Sequence, residues 1–319
     1  MGRETYPEFD HLSLKDQFSN PKIVETEDGN LEIHTVSPEK ISNEIPVIVA
    51  SGAFQGSNTL SPVVTGLAEK GGRKVIFPDL PHGNPSSLRD RTLYTESEYH
   101  HGKAMTLVKT LQETGVERAD VVAHSEGCIN AVFAAALYPE HFRNIVLMNP
   151  AGIVGEDNLL STAARFLENV RFANKQAEDD EKIREQKMEG ESERQANFYR
   201  DKKKTYESSS SITTTQLEQL LATVKAQGIK ITIIATKDDK LFPLKRIQKM
   251  NERYRKHLRL DIIEPDLSEE DSLREMVDVV VEKEGAHNDF YLKPEWSTEI
   301  LVEALDKMQN MGEEESKQD

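Results

Sequence analysis

The sequence predicts an α/β protein: a mostly parallel central sheet flanked by helices, with an inserted helical segment. Three observations predict it. Short, almost uniformly apolar segments alternate with helical patterns along most of the 319 residues. One of those segments, ADVVA, runs straight into Ala123-His124-Ser125-Glu126-Gly127 and then into the apolar helix CINAVFAAAL. From about residue 156 to residue 211 the composition turns abruptly to charge, as in AEDDEKIREQKMEGESERQ, before the alternation resumes.

Taken in order, KIVETEDGNLEIHTV holds two strands around an Asp28-Gly29 turn, and an apolar strand follows at 46–50. A helix at 61–70, the strand KVIFPDL, a helix opening with the capping-box pair Thr95 and Glu98, and the strand ADVVA make successive strand–helix units. After the serine turn come the CINAVFAAAL helix and the strand NIVLMNP. Strands this uniformly apolar suit a parallel sheet covered on both faces. The 156–211 segment carries little apolar surface beyond Ile183 and Met188, so it is expected to lie outside the core as charged helices. Its serine run at 208–211 is expected to be a loop or hinge. Thr215 and Glu218 then form a second capping box, Leu217, Leu220, Leu221 and Val224 make a helical stripe, and Gly228 ends it. The strand KITIIAT, a helix at 244–257, an insertion at 265–272, the strand VDVVVEKEG and a last helix from Glu295 complete the pattern. The expected core is therefore 20–155 with 212–310, and 311–319 is a flexible, solvated tail.

Composition narrows the function classes. Forty Lys and Arg against fifty-six Asp and Glu leave a formal charge of −16, whose average field repels nucleic acid and anionic membrane faces. No stretch approaches the roughly 18 apolar residues of a membrane span, and MGRETYPEFDHLSLKD lacks the apolar centre of a signal peptide. A cytoplasmic protein is expected. The single cysteine, Cys128, excludes an internal disulfide and a cysteine-rich metal cluster. No nicotinamide, flavin or metal motif is present, so neither a cofactor nor a metal is expected.

Ser125 carries the chemistry. A serine on a sharp strand-to-helix turn needs small neighbours two positions before and after it, and Ala123 and Gly127 meet that need. The turn lifts the hydroxyl above the sheet edge and aims the first free N–H groups of the helix at what the hydroxyl attacks. Asp238 and Asp239 follow the end of one later strand, in ATKDDKLFP, and His287 follows the end of the next, in GAHNDF. In an open parallel sheet these ends share one edge, where function collects. On the same edge, VIVA runs into Ser51-Gly52-Ala53-Phe54, where the glycine lets backbone N–H groups turn inward. The N–H groups of Ala53 and Glu126 would form the oxyanion hole.

With these residues the chain resembles the α/β-hydrolase superfamily over roughly 20–155 and 212–310. AHSEG resembles that family's nucleophile turn, DLPHGNPSS its glycine-containing loop, and DKLFP its acid loop, in which the aspartate stands four positions before a proline. That spacing implies Asp239 rather than Asp238 as the triad acid. The chain order Ser, Asp, His is the family's order, and 156–211 occupies the position of its cap. The chain departs from the family in having Ser51-Gly52 where His-Gly is usual and Ala123 where glycine is usual. Glu126 is less comfortable, because an ionised side chain beside an oxyanion donor opposes the charge that develops there. Its carboxylate is expected to point away.

Each sharp assignment has a bland rival. Ser125 would otherwise be a helix N-cap, His287 a loop histidine and Asp239 a cap carboxylate. Cys128 is expected to be a packed core thiol, and His124 to face another side of the turn. His100 and His101 are expected on a helix surface. Phe54 either lines an acyl pocket or packs beneath its loop. The expected activity is hydrolysis of a carboxylic ester, thioester or lactone, a small-molecule acyl substrate, through an acyl-enzyme on Ser125, His287 and Asp239. Acyl transfer or C–C hydrolysis on the same triad, and a silent binding member of the fold, are the alternatives.

Overall fold

The protein's structure, a computed structural model, describes residues 12–26, 29–79, 96–153, 158–200, 217–243 and 279–315, with short pieces at 209–210, 212–213, 215 and 245–247. Among these residues the strands β1 (Lys22–Thr26), β2 (Gly29–Val36), β3 (Val47–Ala50), β4 (Val75–Asp79), β5 (Ala119–His124), β6 (Phe142–Met148), β7 (Lys230–Thr236) and β8 (Val279–Lys283) form one sheet. Its order is β1-β2-β4-β3-β5-β6-β7-β8. β1 pairs with β2, and β2 with β4, in antiparallel fashion; every other pairing is parallel. The mostly parallel sheet is the one the apolar strands predict.

The helices are α1 (Leu14–Phe18), α2 (Ser57–Gly71), α3 (Glu96–Glu113), α4 (Glu126–Leu137), α5 (Leu159–Asp179), α6 (Glu181–Arg200), α7 (Glu218–Ala226), α8 (Asp289–Leu292) and α9 (Pro294–Glu315). Because side chains alternate along a strand, each central strand feeds two layers. Ile48, Val121, Ile145 and Ile233 face a core completed by Leu107 and Leu111 of α3, Ile129 and Val132 of α4, and Leu221 of α7. Val49, Val122, Val146 and Ile234 face a second core completed by Leu60 and Val64 of α2 and Leu301 and Leu305 of α9. Each such side chain contributes about 1.5–3 kcal/mol by leaving water, which is why these strands read as continuous apolar runs.

Several local expectations are corrected. α7 starts at Glu218 with Leu217 at its N-cap and no side-chain cap, so the Thr215–Glu218 capping box does not form. Tertiary contacts set that start instead: Leu217 is fully buried and its N–H donates to Gly152 O at 2.8 Å. Ser209 and Ser210 are helical where a loop was expected. α9 runs on to Glu315, into the expected tail. The charged segment is not wholly outside the core, since Ala173, Ala177 and Ile183 join the second buried layer. Gly228 does end α7, at φ 80°. The Thr95 cap, most of the loop at 79–87, most of the helix at 244–257 and the insertion at 265–272 lie outside the described residues.

At the edge of the sheet opposite Ser125, fully buried Asp120 at the start of β5 accepts from Arg143 Nε at 2.8 Å and Arg143 Nη2 at 2.6 Å. It also accepts from Arg73 Nη1 at 3.2 Å, and Arg73 reaches Asp306 of α9 at 2.6 Å. One carboxylate thus ties β5, β6 and the turn after α2 together. Removing it leaves the Arg73 guanidinium without its buried counter-charge, with, among the described residues, only the exposed Asp306 still paired to it. Asp120→Ala is expected to destabilise the fold by about 3–5 kcal/mol, measured by urea unfolding.

Candidate active site

The site is built on one strained turn. Between β5 and α4, Ser125 sits at φ 53° and ψ −121°, a conformation that non-glycine residues rarely adopt and that costs on the order of 1–3 kcal/mol. Its N–H donates to Met148 O at 3.1 Å, and its own carbonyl accepts from Cys128 N at 3.1 Å and Ala151 N at 3.2 Å. These bonds hold the strain in place. Gly127 is obligatory: a Cβ there would stand 2.2 Å from Ala50 O and 2.6 Å from Ser51 O. At Gly52 a Cβ would come within 3.0 Å of Ser125 Cβ. The β3 loop and the β5–α4 turn therefore touch through two glycines.

Ser125, His287 and Asp239 come together as a linear chain. His287 Nε2 lies 3.1 Å from Ser125 Oγ, and its Nδ1 lies 2.8 Å from Asp239 Oδ2. The carboxylate can only accept, so Nδ1 carries the proton and Nε2 is left to accept from the serine hydroxyl. Asp239 is fixed in turn by its other oxygen, Oδ1, which accepts from Leu241 N at 2.7 Å and Phe242 N at 2.8 Å. All three residues are at most 6 % exposed. Asp238 stands apart: its side chain is 51 % exposed and lies 3.7 Å from Lys240 Nζ.

A family model described as alpha/beta hydrolase fold matches residues 45–294. The chain belongs to the alpha/beta hydrolase fold family. Solved structures of the same fold include a carboxylesterase of the ammonia-oxidizing thaumarchaeon Nitrososphaera gargenis, with a TM-score of 0.59 at 15% identity, covering 91% of this chain and 99% of that one. The enol-lactonase of Burkholderia xenovorans LB400 aligns with a TM-score of 0.59 at 14% identity over 89% of this chain and 100% of its own. A meta-cleavage product hydrolase of Pseudomonas fluorescens IP01 aligns with a TM-score of 0.57 at 14% identity over 90% of this chain and 97% of its own. No curated protein matches the chain.

In this alpha/beta hydrolase, Glu126 is fully buried and its Oε1 accepts from Lys103 Nζ of α3 at 2.8 Å. The side chain thus points towards α3 with a counter-charge attached. Among the described residues the N–H groups of Ala53 and Glu126 take no acceptor, whereas Gly52 N–H is used by Gln55 Oε1 at 2.9 Å. Phe54 is half-buried at φ 64° in the same loop. A pocket partly open to solvent is lined by Ser51, Gly52, Gln55, Lys103 and Asn130. Cys128 is buried as a core thiol, with Sγ 3.7 Å from Met148 O, and burial pushes its pKa well up. His101 is exposed as expected, but His100 is buried and bonded to Asn130 Oδ1 at 2.9 Å, because α3 turns that face onto α4. Among the described residues no three His, Cys, Asp or Glu side chains gather as metal ligands would. No helix among them is long and apolar enough to cross a membrane.

Helices α5 and α6 reach the loops that carry the site, a feature with no local sequence signal. From α5, Arg165 Nε donates to Leu241 O at 3.0 Å, Asn169 Nδ2 to Asn288 Oδ1 at 3.2 Å, and Gln176 Nε2 to Asp289 Oδ1 at 3.1 Å. From α6, Glu193 caps α2, whose N-cap is Gly56 with no side chain to offer. Its carboxylate accepts from the N–H groups of Gly56 at 3.2 Å, Asn58 at 3.1 Å and Thr59 at 3.0 Å. Arg194 lies 4.5 Å over the ring of Tyr291. Asp79 accepts from Ser57 N at 2.7 Å at the same helix end, and burial raises its pKa from 3.8 to about 7, with Glu193 and Glu32 adding to the rise.

A carboxyl group with a raised folded pKa binds its proton more tightly when folded. Its contribution to stability is fully present below about pH 4 and lost as the pH rises through about 7. Asp79→Asn is therefore expected to flatten the fall in unfolding free energy over that window, measured by urea titration at several pH values. Glu193→Gln, which weakens the borrowed cap, is expected to cost about 1 kcal/mol in the same assay.

Proposed function

We propose that this chain is a serine hydrolase that cleaves a carboxylic ester, thioester or lactone through an acyl-enzyme on Ser125. The observation that carries the proposal is the unbroken hydrogen-bonded line from Ser125 Oγ through His287 to Asp239. Ser125 Oγ attacks the substrate carbonyl carbon while His287 Nε2 takes its proton. Asp239, already bonded to two backbone N–H groups, holds the ring's tautomer and balances the imidazolium. The carbonyl oxygen, now negative, sits against the N–H groups of Ala53 and Glu126. The tetrahedral intermediate collapses, the C–O or C–S bond breaks, and the leaving group takes the proton back from Nε2. Water then repeats the sequence with His287 as base, releasing the acid and restoring the serine.

In this scheme the segment 156–211, which holds α5 and α6, acts as a cap over the site, and the contacts of α5 to the loops after β7 and β8 support that role. The Lys103–Glu126 pair answers the difficulty posed by a glutamate next to the nucleophile. Two like charges about 4 Å apart cost on the order of 4 kcal/mol at an effective dielectric near 20, so a bare Glu126 carboxylate would work against the oxyanion. With Lys103 attached, the pair is neutral as seen from the oxyanion hole.

The test is labelling of the purified chain with a fluorophosphonate, read by intact mass. One adduct is expected on wild type and none on Ser125→Ala or His287→Ala; an adduct on Ser125→Ala would overturn the assignment. Asp239→Asn is expected to slow labelling by roughly 10⁴-fold. A panel of esters, thioesters and lactones then identifies the bond cleaved. Lys103→Met, which strands the Glu126 carboxylate, is expected to slow labelling at least about tenfold, and the pair Lys103→Met with Glu126→Gln to restore most of the rate.

A further inference from the structure

Three loops must keep register if the triad reading holds: the β3 loop with Ala53, the β5–α4 turn with Ser125, and the loop after β8 with His287. One continuous hydrogen-bonded line joins them, and it passes through two side chains that neither attack nor transfer a proton. Gly52 N–H donates to Gln55 Oε1 at 2.9 Å, Gln55 Nε2 lies 3.1 Å from His124 Nδ1, and His124 Nε2 lies 2.9 Å from His287 O. We propose that Gln55 and His124 are positioning residues that lock the oxyanion loop and the base loop to the nucleophile turn, a role that rests on the serine-hydrolase reading.

The direction of the line is determined at its two ends. A backbone N–H can only donate, so Gln55 turns its oxygen to Gly52 and its NH2 to His124. The carbonyl of His287 can only accept, so the ring proton of His124 is on Nε2 and Nδ1 accepts from the Gln55 NH2 at 3.1 Å, with Gln55 Oε1 further off at 3.4 Å. Each group has one role, and reversing any of them breaks a bond. The ring is fully buried and lies flat on Phe290 at 4.4 Å between centroids. Burial first and the neighbouring His287 second hold His124 well below its ordinary pKa, so the neutral form the line requires is the stable one. Gln55, 7 % exposed, is likewise shielded from competing water.

The line has two consequences for the reaction. It consumes the N–H of Gly52, which leaves Ala53 as the donor of that loop facing the oxyanion. It also anchors the backbone of His287, so that the imidazole is held at both its ring, by Asp239, and its main chain, by His124. Asn149 Nδ2 adds only a long contact to the same carbonyl at 3.4 Å.

The test compares fluorophosphonate labelling kinetics of wild type, Gln55→Leu, His124→Phe and Ser125→Ala in the full chain. Leucine keeps the volume of Gln55, and phenylalanine keeps the stack on Phe290. The expected result is a fall of about tenfold to hundredfold in the maximal labelling rate with the half-saturating probe concentration nearly unchanged, because alignment is lost and not binding. Wild-type labelling rates in both variants, with Ser125→Ala inert, would overturn the positioning role and leave the triad reading intact. An unlabelled wild-type chain would overturn the triad reading, and the positioning role with it. Should a variant fail to fold, nitrogen-15 NMR of histidine-labelled wild type decides: a proton on Nε2 of His124 supports the line, and a proton on Nδ1 overturns it.

Discussion

The close approach of the β5–α4 turn to the end of β3 is the constraint on which the rest of the site depends. Gly127 has room for a hydrogen and nothing larger beneath Ala50 O, and that contact brings the start of α4 against residues 51–52. Ser125 is pushed to a positive φ as a result, and its hydroxyl leaves the sheet plane on the side where the loops after β7 and β8 arrive. Parallel pairing of β5, β6, β7 and β8 then delivers Asp239 and His287 to the same edge without any further device. Strain at one residue is supported by hydrogen bonds from three others, so the turn is rigid where the proposed chemistry needs it to be.

A second theme is the handling of buried charge in a chain of formal charge −16. Among the described residues four carboxylates lie deep inside and each is met differently; Asp289 is met by Lys293, the Ala286 N–H and Gln176. Asp120 is held by two arginines, Glu126 by one lysine, and Asp239 by two backbone N–H groups and a histidine. Asp79, among the described residues, accepts from Ser57 N–H, and its burial raises its pKa to about 7. Asp120 lies at the bottom edge of the sheet, whereas Glu126 and Asp239 lie at the top edge beside Ser125.

Much of the fold was legible because its signals are local. Uniform apolar runs marked the strands, and the small residues around Ser125 marked the turn. The distance from Asp239 to Pro243, read through the family resemblance, separated it from Asp238, and the structure brings Asp239 alone to His287. The features that escaped depend on residues distant in sequence. Leu217 begins α7 because Gly152 lies beside it, and His100 is buried because α3 rolls that face onto α4. Short helices such as α1 and α8, with five and four residues, carry too few positions for a helical period to show. Gln55 and His124 looked ordinary because a hydrogen bond spanning 69 residues leaves no trace in either neighbourhood.

The cap that Glu193 lends to α2 makes the inserted helices part of the core's own architecture. Gly56 offers no side chain, so the first turn of α2 depends on a carboxylate from a helix more than a hundred residues downstream. The insertion is therefore not a free module. An exchange of this segment for that of a relative would carry a hidden cost at a glycine it never touches in sequence, about 1 kcal/mol of lost capping unless a serine, aspartate or asparagine arrived at position 56 as well.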